Sequence, residues 1–524
     1  MIDLALLNKA ILLTQKGNFQ EAEKIYQSLL EQEPENGPLL SAFGLFYVNL
    51  GNFEKASEYL KKACQIKESL GTVSALGFCE YQRGKYALAA EILEHALELG
   101  ETPEIYTKLI NCLFETRNYK KAVEYSAKMH QIYPDNPESV LAMIKSLTYS
   151  GKLAEAEIMC VNYLKEHQEA TAFWFQLGFL KELIYSDDKQ AFECYKIASE
   201  LGQPSAYYNM AVSLQKQGKY EEAEVYYQKM LDNFPNDENT IVSFGMCKLA
   251  QKKFKEGYEL FFQREGNTYK IGEPFDDEVV VVCEQGFGDH IQFIRYLPLL
   301  KEKVKKVYVA TREPLMELFK KNYPEIEFIT HDEIKPEMQS IRITDLAYIL
   351  DIDFDHIPSN EGYLTTEPAE IKSNKLKVGL CWEAGSAGIR TMINRTINIK
   401  LFENILNMEN VQVYSFQVQD TLKGNERYPQ MINLAKEFKN FEDTAKALKA
   451  MDVVISVDTS VAHLAGALGV KTFLMLPYAT DWRWFNDTKT TPWYKSIEIF
   501  KQNDPISWEK PFGDIICRLK EYSS

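Results

Sequence analysis

The sequence predicts an α-solenoid followed by an α/β fold of two Rossmann-like lobes. A helical pattern repeats at a nearly constant period through the first half of the chain, and strand and helix patterns alternate in the second half. A polar stretch at residues 361–374 divides the alternating half in two. We therefore expect a repeat superhelix over residues 1–265, an amino-terminal lobe over 276–370 and a carboxyl-terminal lobe over 375–524.

The repeat is marked by a small residue that follows each turn. It recurs at gaps of 32 to 35 residues, at Ala22, Ala56, Ala89, Ala122, Ala156, Ala191, Ala223 and Gly257. An aromatic residue lies three positions earlier in most units, at Phe19, Phe53, Tyr86, Tyr119, Tyr220 and Phe254. This pattern resembles tetratricopeptide repeats, whose period is about 34. The resemblance implies antiparallel helix pairs that cross closely where side chains are small.

Such an array has two interpretations. It is either a spacer or dimerisation surface, or a groove that binds an extended polypeptide. We expect the groove, with a protein or peptide acceptor in it, and the sequence leaves a homo-oligomer open.

Composition narrows the function classes. The formal net charge is -16, which disfavours a nucleic-acid-binding surface because such surfaces need clustered Lys and Arg. The nine cysteines are scattered without zinc-ligand spacing, as in a reducing compartment. The amino terminus lacks a signal-peptide pattern, and charged residues interrupt the longest apolar stretch. We therefore expect a cytoplasmic protein with no membrane span and no metal.

In the second half, buried-strand patterns alternate with amphipathic helices. Strands are predicted at 278–283, 306–311, 326–330, 377–382, 411–417, 431–434, 452–457 and 471–476, with helices at 290–303, 313–322, 400–407, 441–451 and 460–468. Alternation of this kind indicates parallel sheets covered by helices, and ligands bind at the carboxyl ends of such strands.

Three stretches of this half carry a family resemblance: 284–298 (EQGFGDHIQFIRYLP), 456–466 (SVDTSVAHLAG) and 481–484 (DWRW). They resemble tetratricopeptide-fused glycosyltransferases related to the heptosyltransferases of glycosyltransferase family nine. The resemblance implies the GT-B fold, a nucleotide-diphosphate-sugar donor held mainly by the second lobe, and usually no metal or other cofactor. The arrangement is also similar, in architecture alone, to O-linked N-acetylglucosamine transferase.

The leaving diphosphate of such a donor needs an anion site. Asp458 ends a predicted strand, and Thr459 and Ser460 open the next helix, whose free N–H groups and dipole favour an anion. His463 lies in the first turn and is placed to donate to a phosphate oxygen. Asp458 itself would repel phosphate, so it either caps the helix or holds a ribose hydroxyl. An ordinary capped helix with a packed histidine is the alternative.

Without a metal, arginines must neutralise the diphosphate. A guanidinium can engage two phosphate oxygens, and the loop after the strand at 377–382 contains Arg390 and Arg395. The resemblance implies that Arg395 is the first candidate, because relatives carry a comparable Arg before the helix, and Arg390 is the second. Trp382 and Glu383 are further candidate donor contacts in this loop. The segment 382–386 (WEAGS) begins with the Trp of the relatives' Trp-Ser/Ala-Gly-Asn-Pro form but departs from that form at Glu383, so the resemblance does not carry a donor contact to Glu383. Gln417, at the end of a strand, is positioned to read the edge of the nucleotide base.

The resemblance implies that Asp289 is the base that deprotonates the acceptor, with inversion at the anomeric carbon. Helix capping is its alternative role, and His290 is the alternative base because imidazole titrates near neutrality. Gly286 and Gly288 let a substrate approach the loop. The segment Trp482, Arg483 and Trp484 either walls the pocket or belongs to the core.

The leading hypothesis is therefore an enzyme that transfers a sugar to a protein docked on the repeats. Transfer to a saccharide or a lipid-linked glycan is the alternative within enzymes. The alternative from another class is a repeat scaffold that has lost catalysis and binds only partners.

Overall fold

A computed structural model describes residues 3–185, 188–264, 267–358, 361–385, 395–485 and 488–523. The chain divides into two compact units, Met1–Leu180 and Lys181–Ser524. Among the described residues, no helix is long and apolar enough to cross a membrane.

Paired helices make up the first half of the chain, as the period predicts. They are α1 (Leu4–Gln15), α2 (Phe19–Gln32), α3 (Gly37–Asn49), α4 (Phe53–Ile66), α5 (Leu70–Gln82), α6 (Tyr86–Leu99), α7 (Pro103–Glu115), α8 (Tyr119–Ile132), α9 (Pro137–Tyr149), α10 (Leu153–Glu166), α11 (Thr171–Tyr185), α12 (Asp188–Glu200), α13 (Ala206–Lys216), α14 (Tyr220–Asn233), α15 (Glu238–Ala250) and α16 (Phe254–Phe262).

Small residues at the helix crossings explain why these pairs form. A Cβ on Gly44 would lie 2.6 Å from Cγ of Leu60, and one on Gly77 would lie 2.7 Å from Cγ of Leu93. The marker alanines between residues 22 and 223 are fully buried. Side-chain caps begin several helices, as Asn36 does for α3. The predicted close crossing of each pair is confirmed.

The amino-terminal lobe contains a parallel sheet of order β3-β2-β1-β4. Its strands are β1 (Glu278–Val282), β2 (Lys306–Ala310), β3 (Glu327–Ile329) and β4 (Gln339–Arg342). Its helices are α17 (Phe287–Phe293), α18 (Leu297–Lys301), α19 (Glu313–Asn322) and α20 (Leu346–Ile349). The single helix predicted at 290–303 is wrong, because it starts earlier and a 3-10 turn at Ile294–Tyr296 separates α17 from α18.

The carboxyl-terminal lobe contains a larger sheet of order β10-β11-β9-β8-β5-β6-β7, parallel except for the β10–β11 pair. Its strands are β5 (Leu376–Cys381), β6 (Val411–Ser415), β7 (Ile432–Asn433), β8 (Val453–Val457), β9 (Thr472–Leu476), β10 (Thr490–Thr491) and β11 (Tyr494–Lys501). Its helices are α21 (Glu403–Leu406), α22 (Gly424–Arg427), α23 (Phe441–Lys449), α24 (Ser460–Ala467) and α25 (Glu509–Ser523). The sequence patterns missed β4, β10, β11, α20, α22 and α25.

One hydrophobic core joins the last repeat helix to both lobes. Phe254 of α16 stacks on Trp493 at 5.8 Å between ring centroids, and Tyr258 packs edge-on against Trp482 at 6.2 Å. The same core includes Val279 of β1. This packing attaches α16 to the lobes, and the second compact unit, which begins at Lys181, accordingly includes this helix. The domain boundaries at 265, 276–370 and 375–524 remain predictions.

Candidate active site between the two lobes

The carboxyl ends of β1 and β8 bring two loop-to-helix turns together. The loop after β1 leads into α17, and the loop after β8 leads into α24. A Cβ on Gly288 would lie only 2.8 Å from Cδ2 of His463, so this glycine lets α17 approach α24. Gly288 therefore makes room for a side chain of the opposite lobe, and not for a substrate as expected from the sequence.

An ion pair crosses this junction. Asp289, on the first turn of α17, accepts at Oδ1 from Nη2 of Arg483, which belongs to the other lobe. The Nε of Arg483 donates to Oε1 of Gln292 at 2.9 Å, so the guanidinium contacts α17 at two points. The other carboxylate oxygen of Asp289 accepts from the Gly286 N–H at 3.1 Å, as in a capping box. Both expected roles of Asp289, capping and facing the crevice, are compatible with this geometry.

Asp481 links two arginines. Its Oδ1 accepts from Nη1 of Arg483 at 2.8 Å, and its Oδ2 accepts from Nη2 of Arg395 at 3.2 Å. Burial would raise the pKa of Asp481, but the two guanidiniums more than offset it and hold that pKa below its usual value. Asp481 therefore remains ionised, and it fixes both arginines at the crevice.

Arg395 also contacts Asp458. The distance from its Nη2 to Oδ2 of Asp458 is 3.3 Å. Burial raises the pKa of Asp458, although Arg395 opposes this effect. Asp458 thus pairs with Arg395, and no side-chain bond from it to the start of α24 is present among the described residues.

His463 lies behind Asp458 as a neutral group. Burial, with the Arg483 charge nearby, lowers the pKa of His463 to about 3. Its Nδ1 lies 2.9 Å from the Tyr494 hydroxyl, and its Nε2 lies 3.8 Å from Oδ1 of Asp458, which is too far for a hydrogen bond. The imidazole is therefore positioned by Tyr494 and carries no charge near neutral pH.

The start of α24 presents backbone donors to the crevice. The predicted step from strand to helix is confirmed, because β8 ends at Val457 and the helix begins at Ser460. The N-cap residue, Thr459, makes no side-chain cap bond, and its hydroxyl lies 3.1 Å from Oγ of Ser456. Thr459 and Ser460 are partly exposed. The first amides of such a helix have no intrahelical acceptor, and its dipole favours a negative charge at this end.

Three residues expected to contact the donor have structural roles instead. The Gln417 Oε1 accepts from the backbone N–H groups of Trp382 at 3.0 Å and Glu383 at 2.9 Å, and its Nε2 donates to two carbonyls. Glu383 accepts from the Thr421 N–H at 3.1 Å. Trp382 is fully buried, and a Cβ on Gly424 would lie 2.6 Å from its ring. These side chains hold neighbouring loops together. Both amide atoms of Gln417 are engaged by the backbone, so its amide is not available to read the edge of a nucleotide base.

Residues next to the cluster face the protein interior. His290 follows Asp289 on α17, so its side chain points about 100° away, and Nδ1 lies 3.0 Å from the Thr311 hydroxyl. Burial lowers the pKa of His290 to about 3. The structure does not bring this alternative base to the ion pairs. Trp482 and Trp484 are buried as well, so they belong to the core and not to an exposed pocket wall.

Sequence reasoning missed Asp481, Tyr494 and Gln292 as site residues. Asp481 and Gln292 lie inside the stretches that carried the resemblance, whereas no pattern singled out Tyr494. Arg390 lies outside the described residues. Within the described parts of the chain, no group of three or more His, Cys, Asp and Glu side chains is arranged to hold a metal ion.

A further arginine fastens the lobes beside the cluster. Arg295 is almost completely buried, and its Nη1 donates to the Trp493 carbonyl at 2.8 Å. Its Nη2 donates to the Tyr363 hydroxyl at 3.1 Å. The guanidinium also lies over the rings of Tyr363 and Tyr494, at 4.5 and 4.8 Å from their centroids. These contacts compensate a buried charge that has no carboxylate partner among the described residues.

Comparison with known proteins identifies the repeats. Tetratricopeptide repeat family models match residues 13–64, 80–137 and 204–237, so the amino-terminal region carries tetratricopeptide repeats. Protein FlbA of Caulobacter vibrioides is 23% identical over 468 residues, which cover 77% of this chain and 76% of FlbA.

Two solved structures are similar to the array. A tetratricopeptide repeat protein from Parabacteroides merdae is 15% identical, with a TM-score of 0.42, and covers 46% of this chain and 97% of its own. Yeast Tom70 is 18% identical, with a TM-score of 0.39, and covers 47% of this chain and 54% of its own.

Proposed function

We propose that this chain is a glycosyltransferase of GT-B type, which transfers a sugar from a nucleotide-diphosphate donor to a protein acceptor. The observation that supports the proposal is the position of Asp289, which contacts Arg483 at the junction of two sheets. Asp481 joins Arg483 to Arg395, and the start of α24 nearby is partly exposed. A base and an anion site on opposite lobes are what sugar transfer from a diphosphate requires.

The reaction follows from these positions. The acceptor hydroxyl loses its proton to Asp289 as its oxygen attacks the anomeric carbon. The bond from that carbon to the diphosphate oxygen breaks, and the diphosphate leaves with the electron pair. Arg395, Arg483 and the amides of α24 stabilise the leaving charge, a role that guanidinium groups fill without a metal. Attack opposite the leaving group inverts the anomeric carbon.

The repeats support a protein acceptor. Stacked repeats present an extended surface, which suits the binding of an extended polypeptide. A small acceptor molecule would not need a surface of this size. The donor would occupy the second lobe, and a segment of the docked protein would reach Asp289.

The test is the substitution Asp289→Asn, assayed by the release of nucleoside diphosphate from a panel of nucleotide sugars with candidate acceptor proteins. We expect turnover to fall by about 100-fold or more, because a general base contributes on that scale. Asn still accepts from the Gly286 N–H, so the fold should be retained. Exposed Asp277 directly precedes β1, at the end of the strand opposite to Asp289, and supplies the matched control Asp277→Asn. Full turnover in Asp289→Asn would contradict the assignment.

A further inference from the structure

Each nitrogen of the Arg483 guanidinium contacts a side chain of this protein. Its Nε contacts Gln292, its Nη1 contacts Asp481, and its Nη2 contacts Asp289. Arg395 is likewise held between Asp481 and Asp458. The two cations that a donor diphosphate needs are therefore already paired with carboxylates. A diphosphate that engages Arg483 then competes with Asp481 or Asp289 for the guanidinium.

The geometry identifies which carboxylate gives way. Asp481 holds one arginine with each oxygen and also accepts from the backbone N–H of Arg483 at 3.1 Å, so three contacts fix it. Asp289 meets Arg483 with one oxygen only, from the opposite lobe. Its other oxygen is held by the Gly286 N–H, so the side chain stays in place when Arg483 leaves. Of the two carboxylates that hold Arg483, Asp289 is thus the one whose pair opens with least rearrangement.

We propose that Arg483 is a donor-responsive gate, which holds Asp289 until a diphosphate takes over the guanidinium and thereby releases Oδ1 to accept the proton of the acceptor. This inference rests on the proposed function. It makes donor binding the event that frees the base, so that the donor binds before the acceptor reacts. Arg483 is a positioning residue in this scheme for Asp289 and a binding residue for the diphosphate.

The test measures affinity for inorganic pyrophosphate and for UDP, GDP, ADP and CDP by calorimetry on the full chain. If Asp289 competes with the diphosphate for Arg483, Asp289→Asn should bind these ligands about tenfold more tightly than wild type, the scale expected for a close charge pair. Asp289→Ser keeps an acceptor for the Gly286 N–H and should change the affinity in the same direction. Asp277→Asn removes the same charge at the opposite end of β1 and should have little effect on the affinity.

A double-mutant cycle separates the gate from a general effect of charge. In the Arg483→Gln background, the gate predicts that Asp289→Asn no longer alters the affinity, because the contested guanidinium is gone. An increase of equal size with and without Arg483 would overturn the gate, as would unchanged affinity in both Asp289 variants. If wild type and all variants fail to bind any of the diphosphates, the proposed function itself fails. Diphosphate binding without coupling refutes the gate alone.

Discussion

Gly288 is the position where one methyl group tests the contact between the lobes. Its Cβ would lie 2.8 Å from Cδ2 of His463, where an ordinary carbon–carbon contact is about 3.5–4.0 Å. The His463 ring cannot move aside easily, because it packs against Trp484 at 5.1 Å between ring centroids and forms a hydrogen bond with the Tyr494 hydroxyl. Gly288→Ala must therefore push α17 away from α24. Overpacking of this kind costs about 1–3 kcal/mol of the free energy of unfolding.

Gly286→Ala is the matched control in the same loop. The nearest atom to its added Cβ is Oδ2 of Asp289 at 3.6 Å, an ordinary contact. Alanine is a poorer N-cap than glycine by about 0.5–1 kcal/mol, and it reduces the entropy of the unfolded chain by a similar amount. We therefore expect little net change in stability from this substitution.

Urea unfolding followed by tryptophan fluorescence measures the difference, since five of the six tryptophans lie in the second compact unit. Gly288→Ala should unfold at a lower urea concentration than both wild type and Gly286→Ala. Replacing the ring, as in His463→Ala, should remove most of the added cost of Gly288→Ala in the double variant. Equal midpoints for Gly288→Ala and Gly286→Ala would refute the close approach of the two helices.

Two further predictions concern pH and truncation. In the folded chain the pKa of His463 is lowered to about 3, whereas in the unfolded chain this histidine takes up a proton below about pH 6.5, so the free energy of unfolding falls as pH falls. From pH 7 to pH 5.5 this effect of His463 lowers the free energy of unfolding by about 1.3 kcal/mol. In urea unfolding, the stability of His463→Gln should therefore fall by about 1.3 kcal/mol less than that of wild type over this interval. A chain beginning at Asp188 should fold, whereas one beginning at 266 lacks Phe254 and Tyr258 from the shared core. The shorter chain should therefore aggregate or give no cooperative thermal transition in calorimetry. Equally cooperative unfolding of both fragments would contradict this prediction.

The helical array was predictable because its signal is local and repeated. Alanine and glycine at fixed spacing mark crossings that occur between neighbouring helices, and the structure shows these residues buried there. The attachment of the last repeat helix to the two lobes was not predictable in the same way. It depends on the packing of Phe254 and Tyr258 against Trp493 and Trp482, more than 200 residues away, and no period in the sequence records such a contact.

The candidate site divides along similar lines. Asp289, Asp458 and Arg395 follow strands or precede helices, so the topology of parallel sheets directs them to one crevice. Gln417 also follows a strand, yet its amide is used by the backbone of a neighbouring loop, and loop conformation is not encoded in a strand pattern. Asp481 resembles an ordinary turn residue in the sequence. Only the folded chain places it between two arginines.

The most direct test of the central claim is whether the full chain binds a nucleoside diphosphate at the arginines between the lobes. Thermal unfolding of wild type and Arg395→Ala would be recorded with UDP, GDP, ADP and CDP and with the matching nucleosides, in EDTA and in magnesium. A ligand at 100 times its Kd adds about 2.7 kcal/mol of stability. We predict that at least one diphosphate raises the midpoint of wild type in EDTA, and that Arg395→Ala loses this shift while its response to the nucleoside changes little. No shift with any diphosphate, or a shift that requires magnesium, would contradict the account.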